Sequence, residues 1–144
     1  DEVLLIEQFR AGAISAPGGP WLLEIVAGVI EANETPEQVV ARESMEEANC
    51  QIGSLIPLYD YLVSPGGTTE RIVLFCGRVD MQTIEAGAVY GNHGEDEDIK
   101  VHVMPLNEAI RLLNTGRINS ASAIIALQWL ALNRDPVRRR WLPE

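Results

Sequence analysis

Apolar and polar positions follow one another along this chain with periods that separate strands from helices. Val3 to Phe9 is rich in β-branched and apolar residues and predicts a strand, ended by the dense turn signal Ala16-Pro17-Gly18-Gly19-Pro20. Trp21 to Val26 predicts a second strand that stops near Gly28. From Glu34 to Asn49 the period changes, because Val39, Val40 and Met45 recur among charges as on a helix with one buried face. The ends of that helix are marked. Thr35 is suited to cap it, Pro36 takes the first helical position where a missing N–H costs nothing, and Gln38 stands where a capping box needs it. Asn49 is the stop, since Asn ranks second to Gly as a left-handed residue past a helix end.

Farther along, Leu55 to Val63 and Arg71 to Val79 predict strands around the turn Ser64-Pro65-Gly66-Gly67, and Ile99 to Val103 predicts a shorter one. Helices are expected over Ala109 to Asn114, before Gly116, and over Ala121 to Leu132, where Ile124, Leu127 and Ala131 keep helical spacing. The basic tail from Arg134 to Arg140 reads as a solvated, fraying end. No internal repeat is present.

Composition narrows the function classes. The 144 residues, 47% hydrophobic and 22% charged, suit one globular domain with its own core. A formal net charge of -10 argues against nucleic acid or an anionic membrane as partner, because both associations run on clustered Lys and Arg. A phosphate-bearing small molecule stays compatible if metal ions supply positive charge. Cys50 and Cys76 lie in apolar stretches without a C-x-x-C pattern, which reads as two reduced core thiols and a cytoplasmic setting. No apolar run approaches the ~20 residues of a membrane helix, and no signal segment opens the chain. The chain begins at Asp1, directly on its first strand, and is read as lacking an upstream N-terminal segment.

Candidate chemistry concentrates in Arg42-Glu43-Ser44-Met45-Glu46-Glu47. Positions three and four apart share a helical face, so Glu43, Glu46 and Glu47 converge. Like charges so spaced weaken an isolated helix by a few tenths of a kcal/mol per pair, which makes more sense if cations neutralise them. Taken alone, the hexapeptide reads as readily as a solvated acidic face with Arg42 as local partner. The wider spacing tips the balance: Gly28, Glu34, Arg42-Glu43 and Glu46-Glu47 fall in the pattern G-x5-E-x7-R-E-U-x-E-E-x-G-U, where U is bulky and apolar.

That pattern is the Nudix box, and the chain resembles the Nudix hydrolases. Ser44 stands where an apolar residue is usual and Asn49 where a second glycine is usual; neither departure removes a carboxylate. The resemblance implies an α/β fold, an α/β/α sandwich with a mixed sheet and a loop-helix-loop catalytic motif, spanning residues 1–144 as one domain. It implies Mg²⁺ or Mn²⁺ held by Glu43 and Glu47, with Glu46 and the Ala27 carbonyl assisting. The physical need is clear, because a diphosphate repels a hydroxide nucleophile and hard cations both screen charge and acidify water. Arg42 is expected to orient and charge-balance Glu43 or Glu46, and Glu34 to serve structurally at the helix start.

Outside the box the similarity extends to the bacterial ADP-ribose pyrophosphatases, through Ile6-Glu7-Gln8-Phe9-Arg10, Pro20-Trp21-Leu22-Leu23-Glu24 and Ser64-Pro65-Gly66-Gly67-Thr68. It implies hydrolysis of ADP-ribose to AMP and ribose 5-phosphate, with Pro65, Gly66 and Gly67 forming a substrate loop. Glu95-Asp96-Glu97-Asp98-Ile99 is similar to the acidic loop that supplies the catalytic base, which places that role on Glu95 with Glu97 in reserve and Glu46 as a further catalytic candidate. Arg10 is expected to clamp the diphosphate, since guanidinium forks match phosphate oxygens; an ion pair with Glu24 is the bland alternative. His93 and His102 receive no role. The resembling enzymes form homodimers through an N-terminal region, so a homodimer is expected of the full-length protein. Rival readings are a Nudix pyrophosphatase for a GDP-sugar, NADH or a dinucleotide, and a catalytically silent Nudix-like binding domain. An EF-hand-type calcium module is not supported, because its Asp/Glu alternation around a central Gly is missing.

Overall fold

The computed structural model describes residues 1–92, 94 and 96–142. Strands β1 (Glu2–Phe9), β2 (Trp21–Glu24), β5 (Val89–Tyr90) and β6 (Ile99–Pro105) form a four-stranded sheet in the order β2-β1-β6-β5. Strands β3 (Leu55–Leu62) and β4 (Arg71–Gly77) form a separate hairpin. The strands expected as a mixed sheet are thus arranged as two sheets whose described pairings are all antiparallel.

Helices cover both faces of the larger sheet. Val3 and Leu5 of β1 and Leu23 of β2 pack against Leu106 and Ala109 of α2 (Leu106–Asn114) and Ala123 and Leu127 of α3 (Ala121–Leu132). The intervening residues of β1 point the other way, and there Leu4 and Val101 meet Ala48 of α1 (Pro36–Ala48) and Cys50. Strict alternation along β1 therefore feeds two cores, with Leu5 and Ile6, neighbours in sequence, both almost fully buried. Each such side chain contributes about 1.5–3 kcal/mol by leaving water. The result is the expected α/β layering. No helix among the described residues is long and apolar enough to cross a membrane. Both thiols are free, Cys50 buried in the second core.

Helix α1 starts and stops where its sequence signals stand. Thr35 Oγ1 accepts the Gln38 N–H at 3.3 Å, and the Gln38 side chain accepts the Thr35 N–H at 2.8 Å, completing the capping box. Asn49 adopts the left-handed conformation at φ 47, ψ 42, and its N–H bonds back to Met45. Replacing Asn49 by Ala should lower the unfolding free energy by about 1 kcal/mol, since a Cβ disfavours that conformation without the compensation Asn supplies. Asn49→Gly should be neutral or slightly stabilising. Urea midpoints at unchanged slope would measure both, and an unaffected Ala variant would show that the cap is not under strain.

Three expectations about elements need correction. Met45 is 48% exposed, and the inward face of α1 instead presents Val39, Ser44, Glu47 and Ala48. Small Ser44 lets the helix approach the sheet, so the buried face follows the site and not the apolar period. The tail is helical, forming α4 (Arg134–Trp141), because Val137 is buried and Asp1 accepts ion pairs from Arg134 at 2.5 Å and Arg138 at 3.3 Å. Helix α2 begins at Leu106, earlier than expected, because Leu106 itself is a core residue. The two-residue β5 is too short to leave a sequence signal.

Candidate active site

The end of β2, the following loop and α1 bring Ala27, Gly28, Glu43 and Glu47 together. The Ala27 N–H donates to Glu47 Oε2 at 3.2 Å, which ties the loop to the helix. Glu47 is only 3% exposed. Its pKa is pushed up to about 8, chiefly by burial; the Ala27 N–H acts against this, the Glu43 and Glu97 charges reinforce it, and the Arg10 charge opposes it. A carboxylate so desolvated, with no ion pair among the described residues, is a strong candidate for a functional group.

Glu43 lies directly against Gly28. A Cβ at position 28 would fall 1.9 Å from Glu43 Oε1, 2.2 Å from its Cδ and 2.4 Å from its Cγ. The glycine is therefore required for space, and its φ lies outside the left-handed region. Burial raises the Glu43 pKa, and the adjacent Arg42 lowers it.

Arg42 is the hub of the exposed side of the cluster. Its Nε donates to Glu34 Oε1 at 2.9 Å and one terminal nitrogen to Glu34 Oε2 at 3.1 Å, a bidentate pair. The other terminal nitrogen reaches Glu43 Oε1 at 2.7 Å and Glu46 Oε2 at 3.4 Å. Glu34 thus anchors Arg42 from the loop side, and Arg42 holds its carboxyl below the ordinary range. Glu34 also accepts the Glu31 N–H at 3.1 Å, in the turn ahead of the helix. Its grip on Arg42 is the part that spacing alone did not reveal.

Two further elements bring charge to this face. Glu97, from the segment before β6, is close enough for its charge to be felt at Glu43, after burial, Arg42 and Glu46, and at Glu47. Its carboxylate accepts the Asn92 N–H at 2.9 Å. Gly91 makes this fold-back possible: at φ +122 it lies 2.7 Å, measured from an added Cβ, from the Cβ of Glu97. Arg10, following β1, pairs through Nε with Glu24 Oε2 at 2.6 Å. Glu95 and His93 lie outside the described residues. Pro65, Gly66 and Gly67 form an exposed turn between β3 and β4, closed by bonds from the Gly67 and Thr68 N–H groups to the Ser64 carbonyl, both 3.0 Å. Among the described residues no hydrogen bond or ion pair joins that turn to the carboxylates.

The donor set is hard, anionic and oxygen-only, which suits Mg²⁺ or Mn²⁺ over a soft ion. Among the described residues no three His, Cys, Asp or Glu side chains gather about a single point. Glu43 and Glu46 instead turn toward Arg42. The face offers the carboxylates of Glu43, Glu46 and Glu47 from about one turn of the same helix.

Comparison with known proteins bears directly on this face. A family model described as the NUDIX domain matches residues 1–127. The ADP-ribose pyrophosphatase of Escherichia coli (strain K12) is 43% identical over 141 residues, which is 98% of this chain and 66% of that protein. The ADP-ribose pyrophosphatase of Haemophilus influenzae is 44% identical over 144 residues, 98% of this chain and 65% of that protein. A GDP-mannose pyrophosphatase of Enterobacter sp. (strain 638) is 36% identical over 134 residues, 91% of this chain and 67% of that protein. The chain spans about two thirds of the length of these relatives.

Proposed function

The chain belongs to the Nudix family, and from that premise we propose that it is a metal-dependent hydrolase that cuts the diphosphate linkage of ADP-ribose to AMP and ribose 5-phosphate. The observation that carries this reading is the junction of loop and helix, where Glu43 fills the space beside Gly28 and buried Glu47 accepts the Ala27 N–H. The similarity to two ADP-ribose pyrophosphatases across nearly the whole chain supports the choice of substrate. The GDP-mannose pyrophosphatase at 36% identity favours a GDP-sugar as the second reading.

In this reading Glu43 and Glu47 hold Mg²⁺ or Mn²⁺, with Glu46 and the Ala27 carbonyl assisting. The ion supplies neutralisation of the diphosphate and a lowered pKa for water. The protein's own groups do the rest. Arg10 clamps the diphosphate, and Arg42, locked by Glu34, fixes the direction of Glu43. Water attacks phosphorus, the bridging P–O bond breaks, and the proton from water passes to an acidic-loop carboxylate, Glu95 or Glu97. Pro65, Gly66 and Gly67 border the substrate from the hairpin side. A cytoplasmic setting agrees with two free thiols.

Incubating the purified chain with Mg²⁺ and ADP-ribose, GDP-mannose, NADH or diadenosine diphosphate should give AMP and ribose 5-phosphate fastest from ADP-ribose, with a chelator stopping it. Faster cleavage of GDP-mannose would replace the substrate and keep the chemistry. No cleavage of any would sink the reading for this chain.

Arg42→Lys should reduce kcat/KM on the order of 10- to 100-fold with the fold intact, because an ammonium cannot reproduce the fork on Glu34 while also reaching Glu43. Steady-state kinetics beside a thermal melt would check it. A variant as active as the native chain would remove Arg42 from the site.

A further inference from the structure

Arg10 leaves β1 with its backbone pinned twice. Its N–H donates to the Pro20 carbonyl at 2.8 Å, and its own carbonyl accepts the Ala13 N–H at 3.0 Å. The side chain is pinned through Nε to Glu24 Oε2 at 2.6 Å, and among the described residues this is its one ion pair. The partners differ in exposure: the Glu24 side chain is 15% exposed and that of Arg10 44%. The carboxylate is thus the anchor, set in the sheet, and the guanidinium reaches outward from it. A bond made through Nε leaves the edge carrying both terminal nitrogens directed elsewhere, and that edge matches two oxygens of a phosphate.

The sheet register decides which face this pair occupies. Glu24 stands opposite Ile6, whereas Leu23 beside it belongs to the core under α2 and α3. Glu24 therefore lies on the α1 face, three residues before the Ala27 N–H that holds Glu47. The Arg10 charge is felt at Glu47, although burial dominates there.

We propose that Glu24 is a positioning residue for the substrate, aiming the Arg10 guanidinium across the α1 face so that a diphosphate is gripped between Arg10 and the Glu43–Glu47 side. The proposal rests on the hydrolase reading above and deepens it. A long guanidinium side chain without a partner samples many rotamers, and ordering it on ligand arrival opposes binding. Glu24 removes that freedom beforehand, which is preorganisation in the ordinary sense. Glu24 touches no ligand itself; it acts through Arg10.

The test is a double-variant cycle on ADP binding, measured by calorimetry with Mg²⁺ present at fixed ionic strength. Glu24→Gln weakens Kd on the order of tenfold. Arg10→Ala weakens it at least as much, and the double variant no further than Arg10→Ala alone. In turnover of ADP-ribose, Glu24→Gln raises KM while kcat stays within about twofold, the mark of lost uniform binding. If Glu24→Gln loses its native melt, Glu24→Asp, which keeps the charge and shortens the reach, is read in its place. Additive losses in the double variant, an unchanged Kd in Glu24→Gln, or absence of ADP binding to the native chain each overturn the proposal. Native turnover is scored separately. Turnover without coupling removes only the role of Glu24; coupled ADP binding without turnover removes the hydrolase reading and leaves the positioning role standing.

Discussion

Glu47→Gln is expected to lower kcat for ADP-ribose on the order of a thousandfold while the protein keeps its fold. A carboxylate that fixes a divalent ion is worth several kcal/mol of charge stabilisation in the transition state, and each 1.36 kcal/mol is about tenfold in rate. The amide is nearly isosteric and its oxygen can still accept the Ala27 N–H, so the link between loop and helix survives. Stability should move the other way. The folded pKa of Glu47 is raised from 4.5 to about 8 by burial, so the folded state binds the proton more tightly than the unfolded state. The native chain without metal therefore loses stability as pH rises from about 4.5 through about 8, and the glutamine variant does not. The stability gap in favour of Glu47→Gln should widen over that window in chelator. Added Mg²⁺ should raise the melting temperature of the native chain and leave that of the variant little changed. A variant that melts early at every pH would mean that Glu47 holds the structure and not an ion.

Gly28→Ala is the second large effect, and it separates geometry from folding more sharply. The added methyl would coincide with the Glu43 carboxylate, 1.9 Å from Oε1. What it meets is the Glu43 side chain from Cγ outward and not backbone, so Glu43 must change rotamer and give up its bond to Arg42, and stability should fall by about 1 kcal/mol with the fold kept. Activity cannot be spared in the same way. A misplacement of about 1 Å in a catalytic group costs on the order of a hundredfold, and the displaced Glu43 also loses its aim from Arg42. The expected signature is a cooperative, slightly lowered melt with kcat/KM down by about two decades. Full activity would show that Glu43 works from another rotamer. A collapsed melt would show that Gly28 serves the fold first.

These two residues also show what kind of information each level holds. Helix α1, its capping box and its left-handed stop are local devices, in which Thr35, Gln38 and Asn49 satisfy backbone groups a few positions away, so they are legible from spacing alone. The Glu43, Glu46 and Glu47 patch is legible for the same reason, since helical geometry alone puts them on one face. The apolar and β-branched run of β1 likewise declares a strand.

The tertiary structure decided what depends on residues distant in sequence. Met45 faces solvent because the helix turns its carboxylate and small residues toward the sheet, overriding the apolar period. The basic tail is helical because Val137 finds a core and Asp1, at the other end of the chain, receives its arginines. The Glu97 charge is felt at Glu43 and Glu47, a relation that depends on Glu97 accepting the Asn92 N–H and lying against Gly91. The sequence by itself determined the family, the capped helix and the acidic face, because these are set by chemistry repeated within a few residues. Which carboxylate is buried, why position 28 must lack a side chain, and where Arg10 points were decided only by packing, because each depends on a neighbour that the chain reaches through the fold.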